Sequence, residues 1–212
     1  MTTYDLSAIP NNVQMRLSSN TAASISSMIG SGQTVDRGGY KWMATYSFNS
    51  RVTSTRASLL GTLAALRGQA NRLRVPVHDN PIQGAYGGTP LVKGASQTGS
   101  SLIIDGLTVS VTKWIGQGDY FSVIVNGEPE LKMCTADINS DINGELTLTF
   151  EPRLRAAPAE NAVIYVEDGV LTKPSGIFLL KNAENGWNSQ PWRSGEISNI
   201  TIEMVEDVFA TQ

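Results

Sequence analysis

The run Gly39–Phe48, GYKWMATYSF, constrains the fold more than any other stretch of the chain. Tyr40, Trp42, Ala44, Tyr46 and Phe48 alternate with Lys41, Met43, Thr45 and Ser47, the period of two that aligns side chains on the two faces of a strand. This predicts a long strand whose aromatic face covers a core. Val13-Gln14-Met15-Arg16-Leu17 alternates in the same way, and Ser24–Ile29 and Gln33–Val35 read as a strand pair around the Gly30-Ser31-Gly32 turn. One helix interrupts the strands. Thr53 or Ser54 is placed to cap it, Leu59, Leu60, Leu63 and Leu66 recur at three- and four-residue spacing, and Gly68 stands where a helix stops. Ala57, Ala64 and Ala65 favour the helical state and Gly61 costs it locally. Arg72–Val77 resumes as a strand, with Pro76 restricting it to an edge or an end.

From Asp79 to Ser101 the chain is rich in Gly, Pro, Ser and Thr, which marks a crossing into a second module. Its candidate strands are Leu102–Ile104, Thr108–Val111, Tyr120–Val125, Leu131–Ala136, Glu145–Glu151 and Ala162–Val166, with a hairpin signal at Asn143-Gly144. Short strands with turns at this spacing suggest a small barrel or sandwich. After Thr172-Lys173-Pro174 the pattern changes back. Ile177–Leu180 reads as a buried strand, a loop carries Trp187 and Trp192, and Ile200, Ile202 and Met204 alternate with Thr201, Glu203 and Val205. This tail is too short to fold alone and is expected to return to the first module's sheet. The expected organisation is a discontinuous β-sandwich domain with one flanking helix over 1–83 and 173–212, and an inserted β-barrel over 84–172.

Hydrophobic residues make up 41% of the 212-residue chain and charged residues 17%, enough to bury a core. The low charge fits a subunit that hides much of its surface in an assembly. A net charge of −3 argues against a broad nucleic-acid-gripping face. The only basic clustering, Arg67, Arg72 and Arg74 with Arg51 and Arg56 upstream, reads as surface charge or subunit contacts. Cys134 is alone, so neither an intrachain disulfide nor a thiolate metal site is expected, and its place in LKMCTA suits a small core residue. MTTYDLSAIPNN has neither a basic start nor an apolar stretch, and no apolar run approaches the roughly 18 residues that span a bilayer. The expectation is a protein made in the cytoplasm that stays soluble or is built into a particle, with no membrane contact.

Motifs that could carry chemistry fail on their own terms. His78 is the only histidine, and Gly94-Ala95-Ser96-Gln97-Thr98 misses the G-x-S-x-G nucleophile turn because Thr98 replaces the second glycine. The loop Gly84-Ala85-Tyr86-Gly87-Gly88-Thr89 lacks the Gly-Lys-Ser/Thr ending of a phosphate loop and reads as a linker. Asp137, Asp141, Glu145 and Glu151 form the nearest carboxylate cluster, and strand-end and turn positions account for each. A calcium loop begun at Asn139 reaches Phe150 where a bidentate Glu is required, so Asp141-Ile142-Asn143-Gly144 reads as a turn. Trp114, Trp187, Trp192 and Tyr86 read as core or subunit contacts rather than a sugar platform. No catalytic, cofactor-binding or metal-ligating residue is expected.

The wording of the middle segment is distinctive. GTPLVKGASQTGSSLIIDG, GDYFSVIVNG and LKMCTADINSDINGELTLTFEPRLRAAP follow one another over 88–158. In that order they resemble the distal tail proteins of long-tailed (siphovirus-type) phages and prophages. The likeness is strongest over 84–160 and weaker around Gly176–Leu180 and the NAENGW segment. Ile142 stands where a glycine or small residue is usual in that turn, and Val125 and Asn126 extend a usually shorter hairpin. The resemblance implies a belt domain related to tail-tube subunits, a β-sandwich with one flanking helix, carrying a peripheral β-barrel. It implies a structural virion protein, not an enzyme, whose six copies form a ring joining the tail tube protein to the baseplate hub or tip protein. DNA would pass through the lumen without specific binding. Sheet edges and long loops, notably 18–37 and 79–100, would make the contacts between copies. The alternatives are a carbohydrate-binding host-recognition accessory protein, a tail tube or terminator subunit, and a cell-wall hydrolase, the last disfavoured by the missing base.

Overall fold

The computed structural model describes residues 1–25, 32–50, 53–79, 81–166, 173–181, 187–189 and 198–210. In chain order the elements are β1 (Thr3–Asp5), β2 (Asn12–Ser18), β3 (Thr21–Ile25), β4 (Gly32–Asp36), β5 (Lys41–Ser50), α1 (Thr53–Ala65), β6 (Arg72–Pro76), β7 (Gly88–Val92) and β8 (Ser101–Leu107). They continue with β9 (Tyr120–Val125), β10 (Glu128–Cys134), β11 (Leu146–Glu151), β12 (Ile164–Tyr165), β13 (Ser175–Leu180), β14 (Trp187–Ser189) and β15 (Ser198–Glu206). The protein is mainly β, with one helix among the described residues.

The larger sheet has seven strands in the order β1-β6-β13-β15-β5-β2, with β14 pairing β15. β1 runs parallel to β6 and the other pairs are antiparallel. The late strands β13 and β15 thus fill the middle of a sheet begun by the N-terminal strands. The alternation in β5 decides which face is buried. Trp42, Ala44, Tyr46 and Phe48 are in the core, while Met43, Thr45 and Ser47 on the other face stay half-exposed. Tyr40 lies just before β5 and outside this core, its hydroxyl bound instead to Asp36. Leu59, Leu63 and Leu66 of α1 pack beneath the aromatic face. Truncating one of them to alanine costs about 2–5 kcal/mol. The helix stops where Arg67 and Gly68 both adopt positive φ, and Asn71 Nδ2 donates to the Ala65 carbonyl at 2.9 Å. The proposed caps Thr53 and Ser54, the Gly30-Ser31 turn, and the side chains of Trp187 and Trp192 lie outside what is described.

The second sheet has six strands in the order β12-β9-β10-β11-β8-β7 and is nearly closed into a barrel. Its two margins meet through the Leu91–Val163 bridge, Val92 N donating to Ala162 O at 3.0 Å and Asn161 N donating to Val92 O at 2.9 Å. Val92, Leu102, Ile104, Trp114, Phe121, Val123, Leu148, Phe150 and Ile164 fill its interior. Cys134 lies in this core, and burial pushes its thiol pKa up.

β1 and the start of β3 at Thr21 were not expected from the sequence, and within the barrel three further features differ from its reading. β7 lies inside the stretch whose composition marked a crossing. Its glycines serve a register shift and close approach instead, for a Cβ on Gly88 would collide with the backbone of Gly106 and Leu107. Thr108–Val111 is a turn, tied down by Ser140 Oγ, which accepts from Val111 N at 2.8 Å and donates to Thr108 O at 2.6 Å. Asn143-Gly144 does turn the chain, but β10 and β11 are joined by the whole loop 135–145 rather than by a two-residue hairpin. The Asp141 carboxylate organises that loop, accepting from Asn143 N and Glu145 N at 2.8 Å each, which also holds its pKa below the usual carboxylate range.

The two sheets touch along β10. By strand alternation Leu131 and Met133 face the large sheet, and Glu130, Lys132 and Cys134 face the barrel interior. Tyr120 and Leu131 belong to the large sheet's core, where the Tyr120 ring lies 5.4 Å from that of Trp42. Trp42 Nε1 donates to Leu131 O at 3.1 Å. The aromatic face of the large sheet is therefore covered by α1 and by the outer side of two barrel strands.

Candidate assembly surface

The strand pair β3–β4 projects as an arm. Its register runs from Thr21–Asp36 to Ile25–Gly32, and its described residues are exposed except for a half-buried Ala22. Ile25 and Val35 are 75% and 48% exposed. The arm's base is organised locally. Arg37 N donates to Asn20 O at 3.1 Å, and Gly38 and Gly39 use positive φ to turn the chain into β5. Asp36 accepts from the Tyr40 hydroxyl at 2.5 Å and from Gly38 N at 2.9 Å, bonds that hold its carboxyl below the ordinary range. A lone two-stranded ribbon is marginal in water. The strands of this one also carry no lysine, proline or inward charge of the kind that blunts sheet edges.

The arm springs from β2, which is itself one margin of the large sheet. Beside it lies a groove of about 860 Å³ between Ser19, Asn20 and Gly39–Lys41 on one wall and Thr98, Gly99 and Pro152–Arg155 of the barrel on the other. Lys41 and Arg153 line this groove, and the Arg153 guanidinium lies against Gly38. At the opposite margin, β1, Arg74 is shared by two carboxylates, Asp5 at 3.5 Å and Glu128 at 3.1 Å. The face of the sheet turned away from the core presents Gln14, Thr45, Ser47 and Thr201, with Ser47 Oγ 3.2 Å from Thr201 Oγ1 and Lys181 paired to Glu203 at 2.7 Å. It is polar, and its charge is mixed in sign.

A buried ionic cluster fixes the barrel against the sheet. Arg155 grips Glu206 with two bonds of 2.8 and 2.7 Å, and Glu206 also accepts from Trp42 N at 2.9 Å. Desolvation works to lower the Arg155 pKa, and the bonds and charge of Glu206 outweigh it, so the net shift is upward. Next to it Lys132 and Glu130, neither with any exposed side-chain surface, pair at 2.8 Å, and Lys132 Nζ donates to Arg153 O at 3.0 Å. Arg72 and Asp207 close the set at 2.6 Å. Nothing in the spacing of these residues along the chain marks them as partners. The arm had a local signal, the Asp36-Arg37-Gly38-Gly39 turn, but its exposure follows only from its lack of a neighbouring sheet.

The residues weighed for chemistry are dispersed or occupied. Ser96 sits in the loop between β7 and β8, not in a strand–turn–helix elbow. Asp79 accepts from the Tyr120 hydroxyl at 3.0 Å, and Glu151 accepts from Ser100 Oγ at 3.2 Å. Asp137 takes Gln117 N at 2.8 Å and pairs with Lys113 at 3.3 Å, while Glu145 pairs with Lys93. Among the described residues no group of histidine, cysteine and carboxylate side chains is arranged to hold a metal ion. Trp114 and Tyr86 are buried against each other, rings 5.4 Å apart and edge-to-face, so they form no exposed platform. The loop Gly84–Thr89 is pinned by Asp119, which accepts from Gln83 N, Gly84 N and Gly116 N at 2.8 Å each. Among the described residues no helix is long and apolar enough to cross a membrane. Neither a scan against protein-family models nor a search of curated proteins finds a match to this chain.

Proposed function

We propose that the chain is a structural subunit of a phage tail, the distal adaptor whose copies form a ring between tail tube and baseplate or tip. The motif order over 88–158 suggests the family. The observation that carries the reading is the arm β3–β4 beside the unpaired margin of β2, a bare ribbon that a solitary subunit leaves unsatisfied. A closed ring needs heterologous contact, one margin of each subunit meeting a different margin of the next. In this reading the large sheet and α1 are the tail-tube-like belt, the sandwich of the family, and the barrel hangs at the periphery. The polar outer face of the large sheet lines the channel, and its mixed charge lets DNA slide past without being held. The ring has six copies.

Electron microscopy of the purified protein tests this. Discrete sixfold rings are the expected outcome. Long tubes would assign the chain to the tube itself, and particles that stay single at every concentration would overturn the assembly reading. The glycan-binding alternative gains nothing from Trp114 and Tyr86, which are inside the barrel.

A further inference from the structure

β2 is the long unpaired margin of the large sheet. Its seven residues pair only with β5, so among the described residues one edge of the strand has no partner. Val13, Met15 and Leu17 face the core opposite Tyr46, Ala44 and Trp42, yet they stay half-exposed while those three are buried. The sheet thus extends one strand beyond the cover that α1 and the barrel give it. Between β2 and the barrel remains a cavity of about 250 Å³, with Met15, Leu17, Trp42, Tyr120 and Met133 in its wall. Arg16, whose side chain alternation turns to the other face, also borders the cavity, which therefore reaches the edge of the strand.

A free edge beside an apolar cavity is the receiving half of strand addition, in which main-chain bonds hold the added strand and a pocket takes its alternate side chains. The other half must be an extended segment with an open backbone edge and an uncovered apolar side chain. β1 and β14 have only three residues each, and the two margins of the barrel are used on each other. The arm meets the requirement. Its strands have five residues each, pair only with one another, and carry no charge except Asp36. Val35 stands opposite Ala22 and Ile25 opposite Gly32, on the two opposite faces of the ribbon, so either face that is laid down turns an exposed apolar side chain inward. The subunit's own arm does not fill the site, because β3 follows β2 after Ser19-Asn20 but pairs with β4 alone.

We infer that the β2 edge takes the arm of a second copy as an added strand, with an apolar side chain of that arm in the cavity at Met15 and Leu17. The inference rests on the ring reading and adds to it the surface that receives the arm. The contact is head-to-tail, arm to edge, and it leaves every copy one arm and one edge with which to continue, as a closed ring requires.

The test uses two variants of the full chain, each with one half of the contact disabled and its fold checked by circular dichroism. Leu17→Lys puts an inward-pointing lysine on the edge, a device that blunts natural sheet edges, and keeps the arm. Ile25→Asp/Val35→Asp disables the arm and keeps the edge. Each alone is expected to need a concentration about tenfold higher or more to assemble, the scale of losing a central apolar anchor. Mixed, they are expected to form a one-to-one pair in sedimentation velocity and nothing larger, because the first lends its arm and the second its edge. Thr135→Trp, which fills the cavity from the barrel side and leaves β2 untouched, replaces Leu17→Lys if that chain does not fold. Variants that assemble as readily as the parent overturn this inference and leave the ring reading standing. A mixture that yields no pair also overturns it, and so do twofold dimers of the arm variant, which would join one β2 edge to another. A pair in the mixture without rings from the parent ends the ring reading and upholds this contact. A parent that stays single, with no pair in the mixture, overturns both.

Discussion

Lys132 and Glu130 share the inside of the barrel with Phe121 and Val123, a place where a charge survives only when paired. Removing water from Lys132 lowers its pKa, against the pull of Glu130. Lys132→Ala takes from Glu130 the cation buried beside it and is expected to cost about 3–5 kcal/mol in urea unfolding, whereas Glu130→Leu/Lys132→Met together is expected to be close to neutral. A double variant as unstable as the single one would show that the pair does more than neutralise itself. Two phenols give a second prediction. Burial raises the pKa of both Tyr46 and Tyr120. The unfolded chain then releases their protons more readily than the folded one, so the stability they lend is complete below about pH 10 and falls as pH rises beyond it. In a tyrosinate absorbance titration these two of the six tyrosines are expected to ionise only as the protein unfolds. Tyr46→Phe/Tyr120→Phe should remove that part of the alkaline loss. The burial of Lys132 was not legible in LKMCTA. Alternation there assigns an inner and an outer face, and β10 has no outer face because a core lies on each side of it.

Elements whose code is local were legible, and those that depend on a distant neighbour were not. β5, α1, β9 and β11 coincide closely with their patterns, because alternation and leucine spacing act within a few residues. β7 was missed because Gly88 and the glycines before it look like a linker, and Gly88 acquires its purpose only against Gly106 and Leu107. Thr108–Val111 has strand composition, but Ser140, some thirty residues on, holds it as a turn. The turn at Asp141 was legible, since an aspartate followed by Asn-Gly binds its own backbone. Adding calcium is accordingly expected to leave the melting temperature unchanged, and a rise would restore the ion-binding reading of that loop. The arm answers a different question. Replacing Ala22–Val35 with a short Gly-Ser link removes a ribbon whose described residues are exposed except for the half-buried Ala22, so the subunit's stability is expected to move by no more than about 0.5 kcal/mol. Ring formation should be lost in the same variant. A shortened protein that still closes into rings would place the contact elsewhere.

For the molecule as a whole, the organisation depends on contacts across long stretches of chain. The sequence implied that the tail belongs with the N-terminal strands, and in the structure β13 and β15 lie between β6 and β5. The pairing of Arg155 with Glu206 left no trace in the sequence, because a bidentate grip between residues on different sheets has no period to betray it. Arg155→Ala strands Glu206 in a site with almost no solvent and is expected to cost about 3–5 kcal/mol by chemical denaturation. Arg155→Lys should recover only part, since an ammonium cannot reproduce the two-pronged bond. Full recovery by lysine would reduce the grip to simple charge. The strand Glu128–Cys134 gives the molecule its mechanical character. One side of that strand belongs to each core, so the barrel has no hinge of its own along this line. A pull or a twist applied at the barrel's far end travels through shared backbone into the large sheet, and the two halves bear the load together.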